Sequence, residues 1–152
     1  MPPNPSASGC TCFRLRKLTR RMTQHFDTRL APAGLRLTQY SLLANLRAGP
    51  LTMSALADRM EMDRTTLTRK LKPLTDAGFV EVLPGEDARS RVVSVTARGR
   101  DAWTAARELW RQAQDEVNRA LGAEQIAALH ATLDESLARL KARAGDARSK
   151  SA

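Results

Sequence analysis

Aromatic residues are scarce in this chain. Three Phe, two Trp and one Tyr make up 4% of its 152 residues, so any core has to be built from Leu, Ala, Val and Met. Long apolar runs are missing too. None approaches the roughly 18–20 residues that cross a bilayer, which removes a transmembrane helix and any membrane partner from consideration. Residues 1–9 lack the basic start and apolar centre of a signal peptide and read as a flexible tail, so a cytoplasmic location is expected. There is no glycine-rich phosphate loop, no nucleophile elbow and no carboxylate pair at a distinctive spacing. His25 and His130 stand far apart, each beside leucines on an amphipathic segment. No enzyme and no cofactor is expected. Cysteine is confined to Cys10 and Cys12, too few thiolates for a closed metal site unless His25 or a second subunit contributes, so no metal is expected either.

What the chain has in excess is positive charge. A net charge of +9 and a pI near 10.7 favour a polyanionic partner. The excess is uneven. Residues 13–47 carry eight Lys/Arg against one acid, whereas 51–99 and 100–152 are each close to neutral. Within 51–99 the basic character is local, because positions 64–72 hold four cations and no acid.

That local cluster sits in the stretch that organises the chain, Leu51 to Gly99. Thr52 is a good N-cap for a short helix with Leu56, Ala57 and Met60 on one face. Glu61-Met62 makes a turn, and Asp63 caps a second helix that stops at Gly78, where the chain can turn left-handed. In this helix Leu67, Leu71 and Leu74 mark the buried side. Arg64, Thr65, Thr68, Arg69 and Lys72 fall on the other side, a composition suited to phosphates and base edges in a major groove. Pro73 removes one hydrogen bond and is expected to loosen the helix near its end. Two β-branched runs follow, 79–83 and 91–95, around a polar loop at 84–90 with Arg89 and Arg91 at its basic end. A helix-turn-helix followed by a basic hairpin is a winged helix.

The wing carries a spaced motif: Asp87-Ala88-Arg89, five residues, Val95-Thr96, two residues, then Gly99. With Leu in place of Val95, this is the pattern of the multiple-antibiotic-resistance regulator (MarR) family, which the chain resembles over nearly its whole length. The resemblance implies a mainly α fold with a small β-wing, a winged helix-turn-helix over 38–99, and dimerisation helices in 10–36 and 100–144. It also implies that Arg89 is the wing-tip contact and that Asp87 braces the wing by pairing with a cation.

The flanking helices agree with a dimer on their own pattern. Leu15, Leu18, Met22, Phe26 and Leu30 make one stripe. Ala102, Ala106, Leu109, Ala113, Val117 and Leu121 make a second, and Ile126, Leu129, Leu133, Leu137 and Leu140 a third. These stripes are expected to be covered by a second copy, which sets two reading helices on a pseudo-palindromic operator in double-stranded DNA. A tail is expected over 145–152, and Thr38 is expected to cap the helix that starts at Gln39. The expected activity is that of a dimeric DNA-binding repressor released by a small ligand or by thiol oxidation. The alternative is a basic helical adaptor that uses the winged helix as a protein-binding surface.

Two features suggest the switch. A small-molecule effector would bind near Phe26, Tyr40 and Trp103, where the flanking helices meet the winged helix. Cys12-Phe13 at the start of the first helix is similar to the organic-hydroperoxide-sensing branch of the family, in which oxidation of such a cysteine releases DNA. That branch flanks its cysteine with two tyrosines, whereas Arg16 and Phe26 stand at those places here. Arg14, Arg16 and Lys17 surround Cys12 with positive charge, a setting that favours the nucleophilic thiolate.

Overall fold

A computed structural model describes residues 9–87 and 89–149, with side chains described to residue 144. The expected N-terminal tail lies almost wholly outside the described residues, as do 150–152. Six helices and three short strands follow in the order α1 (Thr11–Leu30), α2 (Leu37–Asn45), β1 (Leu51–Thr52), α3 (Met53–Arg59), α4 (Arg64–Asp76), β2 (Val80–Pro84), β3 (Arg91–Val95), α5 (Ala97–Leu121) and α6 (Ala123–Ser149). A 3-10 turn at Ala31–Ala33 separates α1 from α2. The last helix therefore continues past Gly145, where the composition suggests an end. The chain divides into two compact units, Met1–Ala113 and Gln114–Ala152.

In the first unit, local chemistry sets the helix starts. Thr52 accepts from the Ala55 N–H (3.1 Å) and Asp63 from the Thr66 N–H (2.7 Å), which satisfies a free donor at the head of α3 and of α4. The start of α2 differs from expectation. Thr38 lies inside the helix, and the cap position is Arg36, whose N–H donates to Gln39 Oε1 (2.8 Å). Asp27 from α1 also accepts from the Leu37 N–H (2.7 Å), so a distant carboxylate serves where a local hydroxyl was expected. The α3–α4 turn places Glu61 at φ +52, and Gly78 at φ +71 ends α4. Helix α4 runs through Pro73 for a further turn, with the Ala77 N–H bonded to the Pro73 carbonyl (3.1 Å).

The strands form a sheet in the order β1-β3-β2, antiparallel throughout, with Leu51 opposite Val93 and Val80 opposite Val95. Strand β1 escapes a sequence reading because two residues carry no periodicity. Pro84 ends β2, which is an edge strand where a missing N–H leaves no gap in the ladder.

The core gathers Leu42 and Leu43 of α2 with Leu46 at its C-cap, Leu56 of α3, Leu67, Leu71 and Leu74 of α4, and Val80 and Val93 of the sheet. Leu30 of α1 and Ala106 of α5 belong to the same cluster, with Trp103 and Trp110 packed against it. The flanking helices thus bury part of their stripes within the chain rather than leaving all of them to a second copy. On α1 the division is sharp: Phe26 and Leu30 are buried, while Phe13, Leu15 and Leu18 are exposed. In the second unit, no residue of α6 with a described side chain is buried, and Leu133, Leu137 and Leu140 stand exposed along it.

Candidate nucleic-acid interface

Three leucines decide which side of α4 faces out. Leu67, Leu71 and Leu74 are at most 3% exposed, so the opposite side, with Arg64, Thr65, Thr68, Arg69 and Lys72, is left to solvent. All seven side chains expected to contact DNA, these five and Arg89 and Arg91 of the wing, are exposed. The Thr68 hydroxyl donates to the Arg64 carbonyl (2.8 Å), which leaves its lone pairs for an outside donor.

Helix and wing converge. A cleft of about 480 Å³ runs between them, lined by Arg64, Thr68 and Lys72 on one wall and by Val82 and Arg91 on the other. A second hollow, of about 180 Å³, gathers Ser54, Arg64, Asp87, Arg89 and Arg91. Arg64 and Arg91 border both, so the two hollows adjoin along these two arginines. Thr65 and Arg69 line neither hollow and stand on the exposed face of α4 beside them. At the wing turn, the Asp87 backbone carbonyl accepts from the Ser90 N–H (2.9 Å) and hydroxyl (3.0 Å). Asp87 lines the same hollow as the three arginines.

The sequence reading missed one acid on this face. Positions 65, 69, 72 and 76 recur at helical spacing, and Asp76 accepts from Lys72 Nζ through Oδ2 (2.8 Å) and Oδ1 (3.1 Å). The i,i+4 spacing was the available signal.

Comparison with known proteins gives the same architecture. A family model described as the MarR family matches residues 33–90. A Mycobacterium tuberculosis transcriptional regulator, MosR, solved in complex with DNA, is 38% identical, with 86% of this chain and 98% of that one covered and a TM-score of 0.77. A cysteine-to-serine mutant of MarR from E. coli, solved with operator DNA, is 25% identical over 88% of this chain and 99% of that one, with a TM-score of 0.78. The chain belongs to the MarR family. Its similarity to the HTH-type transcriptional regulator YwoH of Bacillus subtilis is 31% identity over 55% of this chain, and the match spans 61% of that relative's length. The fold is accordingly that of a winged-helix transcriptional regulator and not of an enzyme.

The residues expected to hold an effector are brought together in this MarR-family chain, but as a filled stack. Tyr40 lies between Trp103 (centroids 5.8 Å apart) and Trp110 (5.7 Å), nearly parallel to both, and Phe26 meets Trp110 at 6.3 Å. Phe26 and Tyr40 are buried, and desolvation raises the Tyr40 pKa against the opposing influence of Arg107 and Arg47. His25 joins the same packing, edge-on to Phe26, and its Nε2–H donates to the Ala113 carbonyl (3.2 Å). The open space is elsewhere. A cavity of about 330 Å³ is bordered by Trp103, Leu43, Leu46, Pro50, Arg47 and Arg100, and of the three expected residues only Trp103 reaches it. Arg47 lies over the Trp103 ring at 4.8 Å, and Trp103 Nε1 is buried with no hydrogen-bond partner among the described residues.

Cys10 and Cys12 are both exposed, Cys10 at the N-cap position of α1 and Cys12 in its first turn. Among the described residues, no group of three His, Cys, Asp or Glu side chains is placed to hold a metal ion, and no helix is long and apolar enough to cross a membrane.

Proposed function

We propose that the chain acts in the cytoplasm as a homodimeric repressor that reads a pseudo-palindromic operator with α4 and grips the flanking minor groove with its wing. The observation that carries this reading is the convergence of Arg64, Thr68 and Lys72 of α4 with Arg91 of the wing on one exposed cleft. Arg69 and Thr65 supply base-edge contacts, Lys72 and Arg64 engage phosphate, and Arg89 enters the minor groove, where the negative potential is strongest. Asp87 shapes the wing. Dimerisation draws support from the exposed leucines of α1 and of α6, since stripes of this kind need a cover. It places two reading helices about one DNA turn apart.

Release from DNA follows from either of two inputs. A small ligand would enter the cavity beside Trp103, between α2, β3 and α5, and shift the wing relative to α5. Oxidation at Cys12, with Cys10 as the resolving thiol, is the second input, supported by the exposure of both sulfurs at the start of α1.

Selection from a random duplex pool with the purified chain, followed by footprinting, tests the reading. An enriched sequence with two-fold related half-sites, and binding that weakens steeply with salt, is the expected result. Salt-insensitive binding with no enriched sequence would favour the protein-adaptor role instead. Salicylate and cumene hydroperoxide, added to the selected complex, distinguish the two inputs.

A further inference from the structure

Asp76 is the last residue of α4 and stands on the face that the cations occupy. Its carboxylate holds the Lys72 ammonium at 2.8 Å, with both side chains more than 60% exposed. The cleft beside the wing is lined by three cations, Arg64, Lys72 and Arg91, and Asp76 is the one acid among its lining residues.

Helix stability does not account for this carboxylate. A negative group at the C-terminal end opposes the helix dipole. A pair with the cation N-terminal to the acid is the weaker of the two i,i+4 orders, and exposed pairs of this kind stabilise little. In the cleft, by contrast, Asp76 has a clear electrostatic effect. It occupies the ammonium as an internal substitute for phosphate, and it adds a negative charge where a DNA backbone would approach.

We propose that Asp76 restrains sequence-independent DNA binding by competing with phosphate for Lys72. Binding to mixed sequence is almost wholly phosphate electrostatics, and a chromosome offers a vast excess of such sites. Lys72 reaches operator phosphate only by giving up Asp76, and in mixed-sequence complexes the carboxylate holds that cation back, which keeps more of the protein free to find its operator. The inference rests on the DNA-binding reading of this face.

The test is Asp76→Asn, an isosteric change at an exposed helix end, titrated with a mixed-sequence duplex at graded salt by fluorescence anisotropy. Affinity should rise roughly threefold to tenfold at low salt, and the slope of log K against log salt should steepen by about 0.9, as one more phosphate is engaged. In a Lys72→Met background the same change should no longer steepen the slope. Wild-type binding with an Asp76→Asn slope and affinity equal to it would overturn the proposal alone. Wild type that binds no duplex at any salt would overturn the DNA-binding reading together with it.

Discussion

A Cβ built on Gly99 would lie 2.0 Å from the Phe79 carbonyl oxygen, closer than real Cβ atoms come to anything. That carbonyl also accepts the Thr96 N–H (3.1 Å), and the Thr96 hydroxyl donates to the Gly78 carbonyl (2.6 Å) while accepting from the Gly99 N–H (3.0 Å). The spaced Thr-x-x-Gly of the wing motif thus has a physical meaning. Thr96 caps α5 and ties its start to the end of α4, and Gly99 lets α5 approach that backbone.

Gly99→Ala should accordingly destabilise the fold by about 1–3 kcal/mol or more, since the clash is with backbone that cannot swing away. Thr96→Val should cost about 1–2 kcal/mol through the lost cap of α5. Urea melts followed by circular dichroism should show a lower midpoint for both. An unchanged midpoint for Gly99→Ala would mean that α5 does not sit this close to Phe79.

Two exposed carboxylates contribute a small part of the acid limb of stability. Hydrogen bonds from the Thr66 N–H and hydroxyl lower the Asp63 pKa, and those from Arg111 and Gln112 lower that of Glu108 to about 2. Both folded values lie below the unfolded ones, so the stability they contribute is present above the ordinary carboxylate pKa. It is lost as pH falls through the folded pKa, for Glu108 between 4.5 and about 2. Melting temperatures of wild type should drop over that range more steeply than those of Asp63→Asn/Glu108→Gln. Parallel curves would show that neither interaction exists in solution.

Leu133→Asp with Leu137→Asp should shift the chain from dimer to monomer in sedimentation velocity. Both side chains are exposed in the single chain, so the winged helix should keep its fold. An intact dimer would move the interface off α6.

Cys12→Ser should bind DNA as wild type does in reducing buffer and should keep that binding when peroxide is added. Wild type should lose it as the Cys12 sulfur reduces the peroxide and the resulting sulfenic acid condenses with the Cys10 thiol, releasing water. Superimposable peroxide curves for the two proteins would remove the redox input and leave the ligand as the switch.

Much of this was legible in the sequence because local rules decided it. Asp63 and Thr52 cap as their side chains dictate, the leucines of α4 face inward at helical spacing, and the wing motif keeps its register. What escaped depends on tertiary proximity. The cap of α2 involves Asp27, ten residues away from Leu37. The aromatic side chains expected to line a pocket stack on one another instead, because Tyr40 and the two tryptophans come from separate helices whose approach no local pattern encodes. Asp76 was hidden by its apparent ordinariness as a helix-end acid.

The central claim is that the outward face of α4 reads base edges, and Arg69→Ala tests it most directly. Affinity for the duplex selected by wild type should fall by roughly 1–3 kcal/mol, while affinity for a mixed-sequence duplex changes much less. Arg69→Ala binding the selected duplex as tightly as wild type, with the same discrimination against mixed sequence, would contradict the account and put a different surface on the DNA.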